Sequence, residues 1–394
     1  MRIAWFTPFS RKSAIGKYSR NATECLKNDC HIDLFLFEKK DLLNTTLNIV
    51  HYTKDDNLTD TLSKYDLVIY NLGDYLWFHL DIYEISRKVK GIIILHDYVM
   101  HNFFRGYYWI YKKNQEEYKK ELASLYGTDI LDPVSGNIKP VIRSAAEDIK
   151  YPFFERAIEG AKAVITHSKF LKEKVIEKFD GPVETIYFPF ERSYVPSGQI
   201  QISIEKDKIL LLTFGNINPN KRIDKVIQVI GESVEIRGKV RYVIIGSLIN
   251  EAYSEKLKLL IKHYKLEGTV SLLGYQENNV LYSYMEKTDI FINLRLPAME
   301  GASDSLLEQL FAGKPSLVTD NGFYSELPNT VVVKVKPEKE IVDIYESLKK
   351  LIYDSDLRRK IGLNAKKFAE ERFNSSEYRK RFLEFANNFC KKDT

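Results

Sequence analysis

Short apolar runs alternate with amphipathic segments along the first half of the chain. Between the first two apolar runs, Tyr18, Ala22 and Leu26 recur at the spacing of one helix face. Strands that alternate with such helices predict βαβ units and a parallel sheet. The predicted strands are Arg2–Phe6, Ile32–Phe37, Leu67–Tyr70, Ile92–Leu95 and Ala163–Thr166.

The periodicity stops in the middle of the chain and then resumes. The stretch Phe188–Arg192, followed by Pro196–Gly198, carries no regular pattern and predicts a domain boundary. After it, Asp224–Gly231 has helical spacing and six further strands are predicted. These strands are Ile209–Phe214, Tyr242–Ile245, Val270–Leu273, Ile290–Asn293, Ser316–Thr319 and Val331–Val333.

The end of the chain is helical throughout. From Pro337 to Lys391 no strand is predicted, and Glu370–Cys390 is long enough to pack back onto the first domain. We therefore predict an α/β protein with two Rossmann-like domains that face each other across a cleft. The first is 1–190 with a returning helix at about 372–394, and the second is 191–371. Open α/β sheets bind ligands at the carboxyl ends of their strands, so the chemistry should lie there.

Composition and charge narrow the function classes. The 394 residues are 44% hydrophobic and 29% charged, which is a globular composition. Lys and Arg number 59 against 54 Asp and Glu, and a net charge of +5 is too small to argue for a nucleic-acid partner. Three cysteines without a CxxC pair argue against a disulfide framework and a zinc site. With no stretch of roughly 18 apolar residues, we expect a cytoplasmic protein. Peripheral contact with the inner face of the plasma membrane is a further hypothesis.

Two predicted strand ends in the first domain carry candidate binding residues. Gly16 lies where the loop after Arg2–Phe6 enters a helix, and a glycine there lets a phosphate approach the backbone. An ordinary βα turn is the alternative. His96 and Asp97 directly follow Ile92–Leu95, and an imidazole there can hydrogen-bond a sugar hydroxyl or a phosphate oxygen. A pair that caps a helix is the alternative.

A glycine turn followed by two cations opens the second domain. The stretch from Thr213 to Arg222 reads TFGNINPNKR, so Lys221 and Arg222 come just before a helix. Arginine binds phosphate bidentately and lysine supplies a compact charge. Because cations oppose the dipole at a helix N-terminus, the pattern predicts that an anion binds there. The alternative to this diphosphate clamp is a solvated basic turn.

Two glutamates lie on either side of a helix start predicted near Ser303. Glu300 lies on the preceding loop and Glu308 about a turn and a half inside the helix. One carboxylate can therefore reach a sugar ring while the other reaches a second polyol such as a ribose. The backbone N–H groups of Gly301–Ser305 between them point toward an anion. The alternative is a capped amphipathic helix with two solvated acids.

These motifs resemble the retaining glycosyltransferases of family 4, the group 1 glycosyltransferases, over nearly the whole chain. The most specific element is the Glu300–Glu308 pair followed by Phe311–Pro315, and Tyr70–His101 is similar to a bacterial subgroup that builds surface polysaccharides. The resemblance implies the GT-B fold. It also implies retaining transfer of a sugar from a nucleoside-diphosphate sugar to a saccharide or lipid-linked saccharide in cell-surface glycan biosynthesis.

The resemblance further implies a set of site residues. It assigns catalytic roles to His96, Glu300 and Lys221, and it implies that Glu308 binds the ribose. The donor it implies is a UDP- or GDP-sugar, and UDP is slightly favoured. No cofactor is implied. The donor contacts it implies are Gly16, Gly215, Asn216, Lys221, Arg222, Tyr275, Gln276, Glu300, Gly301, Ala302, Ser303, Asp304, Ser305 and Glu308.

Two positions depart from the family pattern. The family usually has an arginine directly after the glycine that Gly215 matches, and Asn216 stands there instead. Either Arg222 or Arg295 could supply the missing charge. Asp304 is the second departure, since a carboxylate repels phosphate, and an alternative role for it is to cap the helix.

The remaining motifs concern metal and acceptor. Asp354-Ser355-Asp356 is a DxD, but it lies between two predicted helices, so we interpret it as a helix cap and expect transfer without a metal. Aromatic and cationic residues mix in Phe103–Lys113, which suits a membrane interface or a lipid-linked acceptor. An aromatic core helix with a basic edge is the alternative. The candidate acceptor residues are His101, Arg105, Tyr108 and Trp109.

Two other functions stay open on the sequence. A GT-B nucleotide-sugar epimerase would need groups near the anomeric carbon, for which His96-Asp97 is the candidate in the first domain. A non-catalytic, transferase-like protein that binds a sugar nucleotide is favoured by Asn216. The presence of Glu300, Glu308 and Lys221 argues against it.

Overall fold

A computed structural model describes residues 1–130, 145–190, 202 and 204–390. Contacts divide the chain into two compact units. The first comprises Met1–Glu191, Met299–Ala302 and Phe373–Thr394, and the second comprises Arg192–Ala298 and Ser303–Arg372. Each is built on a parallel sheet covered by helices, so the predicted α/β class with two such domains is confirmed. The predicted linker Pro196–Gly198 lies outside the described residues.

Seven parallel strands form the sheet of the first unit, in the order β3-β2-β1-β4-β5-β6-β7. Alternate residues of β1 enter two different apolar clusters: Ala4 and Phe6 one, Ile3 and Trp5 the other. Both faces of the sheet are therefore buried, as in other parallel sheets. The strands are β1 (Arg2–Phe6), β2 (His31–Leu36), β3 (Asn48–His51), β4 (Leu67–Leu72), β5 (Ile92–Leu95), β6 (Ala163–Thr166) and β7 (Val183–Thr185).

Eight helices of the first unit precede or follow these strands. They are α1 (Ala14–Leu26), α2 (Thr59–Leu62), α3 (Leu76–Lys88), α4 (His101–Gly106), α5 (Gln115–Tyr126), α6 (Ala145–Lys150), α7 (Phe154–Ile158) and α8 (Lys169–Ile176). A π-helical segment at Tyr107–Tyr111 continues α4, and Thr128–Ile130 forms a 3-10 turn. Within the ranges that the structure describes, no helix is long and apolar enough to span a membrane.

The second unit repeats this architecture with six parallel strands in the order β10-β9-β8-β11-β12-β13. The strands are β8 (Ile209–Phe214), β9 (Val240–Ile245), β10 (Val270–Gly274), β11 (Ile290–Asn293), β12 (Ser316–Thr319) and β13 (Val333–Val335). The helices are α9 (Ile223–Glu232), α10 (Val234–Arg237), α11 (Glu251–His263), α12 (Asn278–Lys287), α13 (Asp304–Phe311), α14 (Glu340–Tyr353) and α15 (Ser355–Arg372). Short 3-10 turns lie at Pro219–Lys221, Gly322–Glu326 and Pro337–Lys339.

The last described helix, α16 (Ser375–Ala386), packs on the first unit as predicted. The predicted segment Glu370–Cys390 is nevertheless not one helix. Helix α15 ends at Arg372, and Asn374 caps α16 by accepting a hydrogen bond from the Glu377 amide at 2.8 Å. Inside the unit, the hydroxyl oxygens of Tyr18 and Tyr378 lie 2.7 Å apart.

The bounds of β2, β4, β9 and β10 differ from the sequence-based prediction by one or two residues, and three other strands differ more. Strands β3 and β7 were not predicted, and they are the two edges of their sheet, with four and three residues of mixed polarity. Strand β13 begins at Val333 and so overlaps the predicted Val331–Val333 by one residue. Short edge strands bury only part of their surface, so a hydrophobic pattern identifies them poorly.

Candidate active site

The carboxyl end of β8 meets that of β9 through two glycines. Gly215 has a left-handed φ of +90°, and its amide donates to the Ile245 carbonyl oxygen at 3.0 Å. A Cβ atom on Gly246 would lie 2.0 Å from the Gly215 carbonyl oxygen, so only glycine fits there. Gly215 and Asn216 are exposed at this strand end.

Lys221 extends back over this turn. It ends the 3-10 turn Pro219–Lys221, is 5% exposed, and its ammonium donates to the Phe214 carbonyl oxygen. A Cβ atom on Gly215 would lie 3.2 Å from Lys221 Nζ. The structure therefore brings two of the predicted donor-binding residues together and holds a compact positive charge at the carboxyl end of β8.

The side chain of Arg222 pairs with the carboxylate of Glu340. Its φ of +56° is left-handed, and its Nε donates to Glu340 Oε1 at 2.7 Å while the second terminal nitrogen donates to Oε2. Glu340 is 8% exposed, and this pairing raises the pKa of Arg222. The two cations of the predicted clamp thus separate. This argues against the expectation that both face an anion, because the bidentate pairing uses the edge of the Arg222 guanidinium formed by Nε and one terminal nitrogen.

Helix α13 begins one residue after its cap, Ser303. The Ser303 hydroxyl accepts a hydrogen bond from the Leu306 amide at 3.4 Å. Asp304 is the first residue of the helix, so the capping role considered for Asp304 belongs to Ser303. A carboxylate in the first turn of a helix is stabilised by the helix dipole. Of the predicted amide segment, Ser303–Ser305 lie in the second unit, whereas Gly301 and Ala302 group with the first.

The side chain of Arg295 lies close to the first turn of α13. It follows β11 and is 7% exposed, and its backbone amide donates to Thr319 Oγ1 at 3.0 Å. One terminal nitrogen donates to the Leu294 carbonyl oxygen at 2.8 Å, and the other lies 3.5 Å from Ser305 Oγ. The guanidinium is therefore held between the end of β11 and the first turn of α13.

The predicted nucleoside contacts lie on nearby elements of the second unit. Burial, together with the carboxylates of Glu308 and Asp304, raises the pKa of Tyr282 on α12. Tyr282 was not predicted, since it lies inside an ordinary amphipathic helix. Tyr275 is 65% exposed at the end of β10, and Gln276 donates to the Leu273 carbonyl oxygen at 2.7 Å.

His96 is a buried, neutral histidine at the end of β5. Its Nε2 lies 3.0 Å from Asn71 Oδ1, and Asn71 Nδ2 donates to the Phe6 carbonyl oxygen at 2.9 Å. Because the amide nitrogen of Asn71 is the donor to Phe6, its oxygen accepts, and the proton of His96 lies on Nε2. Burial, with His167 and His79 nearby, holds the pKa of His96 well below its usual range. Its Nδ1 therefore has the character of an acceptor.

The loop that carries Glu300 pairs with the chain beyond His96. Asp97 and Glu300 form an antiparallel bridge, and two amides after Asp97 donate to the Met299 carbonyl oxygen at 3.0 and 3.1 Å. The Gly301 amide donates to the His96 carbonyl oxygen at 2.9 Å, and a Cβ atom at Gly301 would lie 2.8 Å from that oxygen. The first unit therefore holds His96, Glu300 and Gly301 together.

Two half-buried carboxyl groups flank this pairing. The Asp74 amide donates to Asp97 Oδ2 at 2.8 Å, and Asp74 Oδ1 accepts from the Phe103 amide at 2.9 Å. Burial, with Glu300 close by, raises the pKa of Asp97 to about 6. Burial and the Asp97 carboxyl together raise the pKa of Asp74 well above its usual value. Asp74 was not predicted, although it follows Gly73 at the end of β4, a position where ligand-binding residues are common.

Gly16 has a structural explanation in this fold. Its amide donates to the hydroxyl of Ser13, the N-cap of α1, at 3.0 Å. A Cβ atom at Gly16 would lie 2.9 Å from the Pro8 carbonyl oxygen. This corrects the expectation that the Gly16 amide faces a phosphate, because the N–H is used within the protein.

Two of the four candidate acceptor residues are buried. His101 is 0% exposed, and its ring nitrogens lie 2.7 Å from the Tyr151 carbonyl oxygen and 2.5 Å from the Tyr118 hydroxyl. Tyr108 is 4% exposed. This corrects the prediction for both side chains, since neither reaches a surface, whereas Trp109 is 39% exposed and Arg105 is half-buried.

A family match covers most of the second unit. Residues 199–368 match the family model of glycosyl transferases group 1. This segment is therefore similar to the group 1 glycosyl transferases. It contains Gly215, Lys221, Glu300 and Glu308, which the sequence motifs had linked to that family. The match covers less than half of the chain.

Curated relatives resemble the chain at low identity. Sucrose synthase of Denitrovibrio acetiphilus is 25% identical over 259 residues, which are 61% of this chain and 32% of that protein. An uncharacterized glycosyltransferase of Methanocaldococcus jannaschii is 26% identical over 257 residues, which are 60% of this chain and 63% of that protein. The chain thus spans about a third of the first relative and less than two thirds of the second.

Solved structures match almost the whole chain and confirm the GT-B fold. HepE of Anabaena, in complex with UDP and glucose, has a TM-score of 0.66 at 15% identity, covering 98% of this chain and 100% of its own. Sucrose-phosphate synthase of Thermosynechococcus elongatus has a TM-score of 0.66 at 14% identity, covering 98% of each chain. WaaG, a glycosyltransferase involved in lipopolysaccharide biosynthesis, has a TM-score of 0.62 at 15% identity, covering 99% of this chain and 100% of its own.

The DxD motif lies within the matched residues 199–368, at the junction of α14 and α15. Asp354 Oδ1 accepts from the Leu357 amide at 2.7 Å, so it caps α15 as predicted. Among the described residues, no group of three His, Cys, Asp or Glu side chains could hold a metal ion. Metal-independent transfer stays a prediction.

Proposed function

We propose that this protein is a glycosyltransferase that moves a sugar from a nucleoside-diphosphate sugar to a saccharide or lipid-linked saccharide, with retention, in cell-surface glycan biosynthesis. The observation that carries the proposal is the buried Lys221 ammonium held over the Gly215 turn, inside the segment similar to the group 1 glycosyl transferases. A desolvated cation at the carboxyl edge of a parallel sheet suits a diphosphate.

The proposed reaction breaks the bond between the anomeric carbon and a diphosphate oxygen. Positive charge develops on the sugar and negative charge on the leaving phosphate, and the acceptor oxygen then bonds to the anomeric carbon. In the second unit, Lys221 and the N-terminus of α13 offer preorganised positive charge to the leaving group. For retention, the leaving phosphate oxygen itself takes the acceptor proton.

The first unit supplies the proposed sugar contacts. His96 is neutral with its proton on Nε2, so Nδ1 accepts a hydrogen bond from a sugar hydroxyl without any change in protonation. The bridge between Asp97 and Glu300 fixes the backbone of the glutamate beside His96. We assign Glu300 to the hydroxyls of the donor sugar, in keeping with the motif it belongs to.

We assign the nucleoside to α12, α13 and the end of β10. Glu308 would accept hydrogen bonds from the ribose hydroxyls. The exposed ring of Tyr275 and the neighbouring Gln276 would contact the base. UDP is the first candidate because three similar structures are complexes with UDP or UDP-glucose.

Thermal stabilisation by nucleotides tests this proposal. A ligand that binds the folded state raises Tm, so we expect a shift with UDP that EDTA does not abolish, measured beside GDP, ADP, CMP and dTDP. Lys221→Met should abolish most of the shift, whereas Lys262→Met, an exposed lysine of the same unit, should keep it. No shift with any nucleotide would contradict the proposal and favour a non-catalytic protein. Isomerisation of a free UDP-sugar without acceptor would favour an epimerase.

We also propose a peripheral membrane contact for the first unit. Tyr75, Trp77, Trp109 and Ile110 are 56%, 55%, 39% and 55% exposed, and Lys112 lies close to the aromatic segment, 5.3 Å from the Tyr107 ring centre. Exposed aromatic rings with nearby cations favour an anionic lipid interface. Such a contact would bring the enzyme to a lipid-linked acceptor.

Flotation with vesicles tests the membrane contact. Vesicles with 30% anionic phosphatidylglycerol should carry the protein upward at low salt, and substitution of both Trp77 and Trp109 by serine should reduce the bound fraction several-fold. Leu259→Ser serves as control, because Leu259 is 66% exposed but belongs to the second unit. Equal flotation of all three proteins, or none with the wild type, would contradict the contact.

A further inference from the structure

The second unit lacks one positive charge that the diphosphate site of the resembled family carries. Asn216 stands directly after Gly215, and its side chain is neutral. Arg222 follows Lys221, but one edge of its guanidinium, formed by Nε and one terminal nitrogen, is paired with the buried carboxylate of Glu340. Turning it toward a ligand would leave that carboxylate buried without its partner, which costs several kcal/mol in comparable pairs.

We infer that Arg295 supplies the second cation of the diphosphate site, and that Asn293 adds a neutral donor beside it. The inference rests on the proposed function. Arg295 would bind the diphosphate from the side of β11, whereas Lys221 approaches from the turn after β8. The second cation would thus lie at the end of β11, whereas the resembled family carries it at the end of the neighbouring strand, β8.

The surroundings of Arg295 support this role. Its side chain is desolvated at 7% exposure and fixed by the Leu294 carbonyl oxygen and Ser305 Oγ. Ser305 belongs to the first turn of α13, where backbone N–H groups lack partners within the helix. A guanidinium and a helix N-terminus repel each other, and an anion that contacts both is attracted by both. A diphosphate has the charge and the number of oxygens for such a contact.

Asn293 gives an independent indication of a ligand. It is the last residue of β11, is 2% exposed, and its Nδ2 has no hydrogen-bond acceptor among the residues that the structure describes. A buried donor without an acceptor costs about 1–3 kcal/mol, so it usually marks a site where a ligand or ordered water accepts. It lies at the carboxyl end of its strand, two residues before Arg295.

Calorimetric titration of the full chain with UDP and UMP tests the inference. Arg295→Gln should weaken UDP binding about 10- to 100-fold, as expected for a lost charge-assisted hydrogen bond. UMP binding should weaken less, so that the preference for UDP over UMP falls. Arg241→Gln is the matched control, because Arg241 bonds Gly268 and Ser271 at the β9–β10 edge.

A relocation experiment makes the test sharper. Adding Asn216→Arg to Arg295→Gln should restore at least part of the lost UDP affinity, since it returns a guanidinium to the turn beside Gly215. Should Arg295→Gln fail to fold, Arg295→Lys keeps the charge without the planar fork and should show an intermediate loss.

The outcomes separate the inference from the function on which it rests. A folded Arg295→Gln protein that binds UDP within twofold of the wild type would overturn the role of Arg295 and leave the glycosyltransferase proposal standing. The role of Arg295 would also be overturned if Asn216→Arg restored no affinity and Arg295→Gln weakened UDP and UMP binding equally. The loss of affinity would then not depend on the diphosphate. A wild-type protein that binds no nucleoside diphosphate would overturn both.

Discussion

The ion pair between Arg222 and Glu340 offers the most direct test of the local architecture around Lys221. The two residues are 118 positions apart and join the start of α9 to the start of α14. Their side chains are 24% and 8% exposed. Arg222→Met removes the guanidinium and leaves the carboxylate of Glu340 in a site that water reaches poorly.

The expected cost follows from burial. Removing one partner of a fully buried pair costs about 3–5 kcal/mol. The partial exposure of Arg222 lets some water replace it, so we expect a loss of about 2–3 kcal/mol in the free energy of unfolding. For a unit of this size, that corresponds to a decrease in Tm of roughly 5–10 °C. Glu340→Gln should cost less, because the amide oxygen still accepts from the guanidinium.

Denaturation of the two single variants and the double variant would measure the coupling. We expect a coupling free energy of at least about 1 kcal/mol, since the residues share two hydrogen bonds. The assay is urea unfolding followed by circular dichroism, with Lys256→Met as a control that breaks a more exposed pair to Asp224. Additive effects of Arg222→Met and Glu340→Gln within about 0.3 kcal/mol would refute the proposed pairing.

Three further predictions concern single side chains. Lys221→Met should lower the rate of UDP release from UDP-glucose by roughly 10²-fold, as for one lost charge stabiliser, and an unchanged rate would contradict its role. Asp97→Asn should raise Tm relative to wild type at pH 8 but not at pH 4.5. Burial raises the pKa of Asp97 to about 6, so ionisation destabilises the folded state as the pH rises through that value, and equal shifts in thermal scans at both pH values would refute this. Phe382→Ala should lower the free energy of unfolding, measured with urea, by about 3–5 kcal/mol, because Phe382 is 0% exposed and its ring packs against Trp5. Glu384→Ala should change this free energy by no more than about 0.5 kcal/mol. Similar losses for both variants would argue against the packing of α16 on the first unit.

The order of strands and helices could be read from the sequence where the strands are central. The predicted bounds of Ile92–Leu95, Ala163–Thr166 and Ser316–Thr319 agree with β5, β6 and β12. Each is a fully buried run, whose apolar residues stand out against polar flanks. The edge strands β3 and β7 were not predicted because most of their residues are only partly buried and of mixed polarity.

The sequence predicted which residues belong to the candidate site, but not which other residues they bond to. Glycine at 215 and lysine at 221 were singled out from spacing alone, and the fold brings them within contact. The commitment of Arg222 to Glu340 depends on a residue far along the chain, which no local pattern reports. The burial of His101 and the use of the Gly16 amide by Ser13 were equally invisible to motif spacing.

The sequence by itself determined the alternation of elements and the positions of the strand ends, because hydrophobic periodicity is a local property of the chain. Only the tertiary structure decided which charged and polar side chains bond to other residues of the protein. It set Glu300 beside Asp97, although these residues are far apart along the chain, and fixed the proton of His96 through Asn71. Such contacts form only when distant segments pack, so their electrostatics belong to the folded protein and not to any single motif.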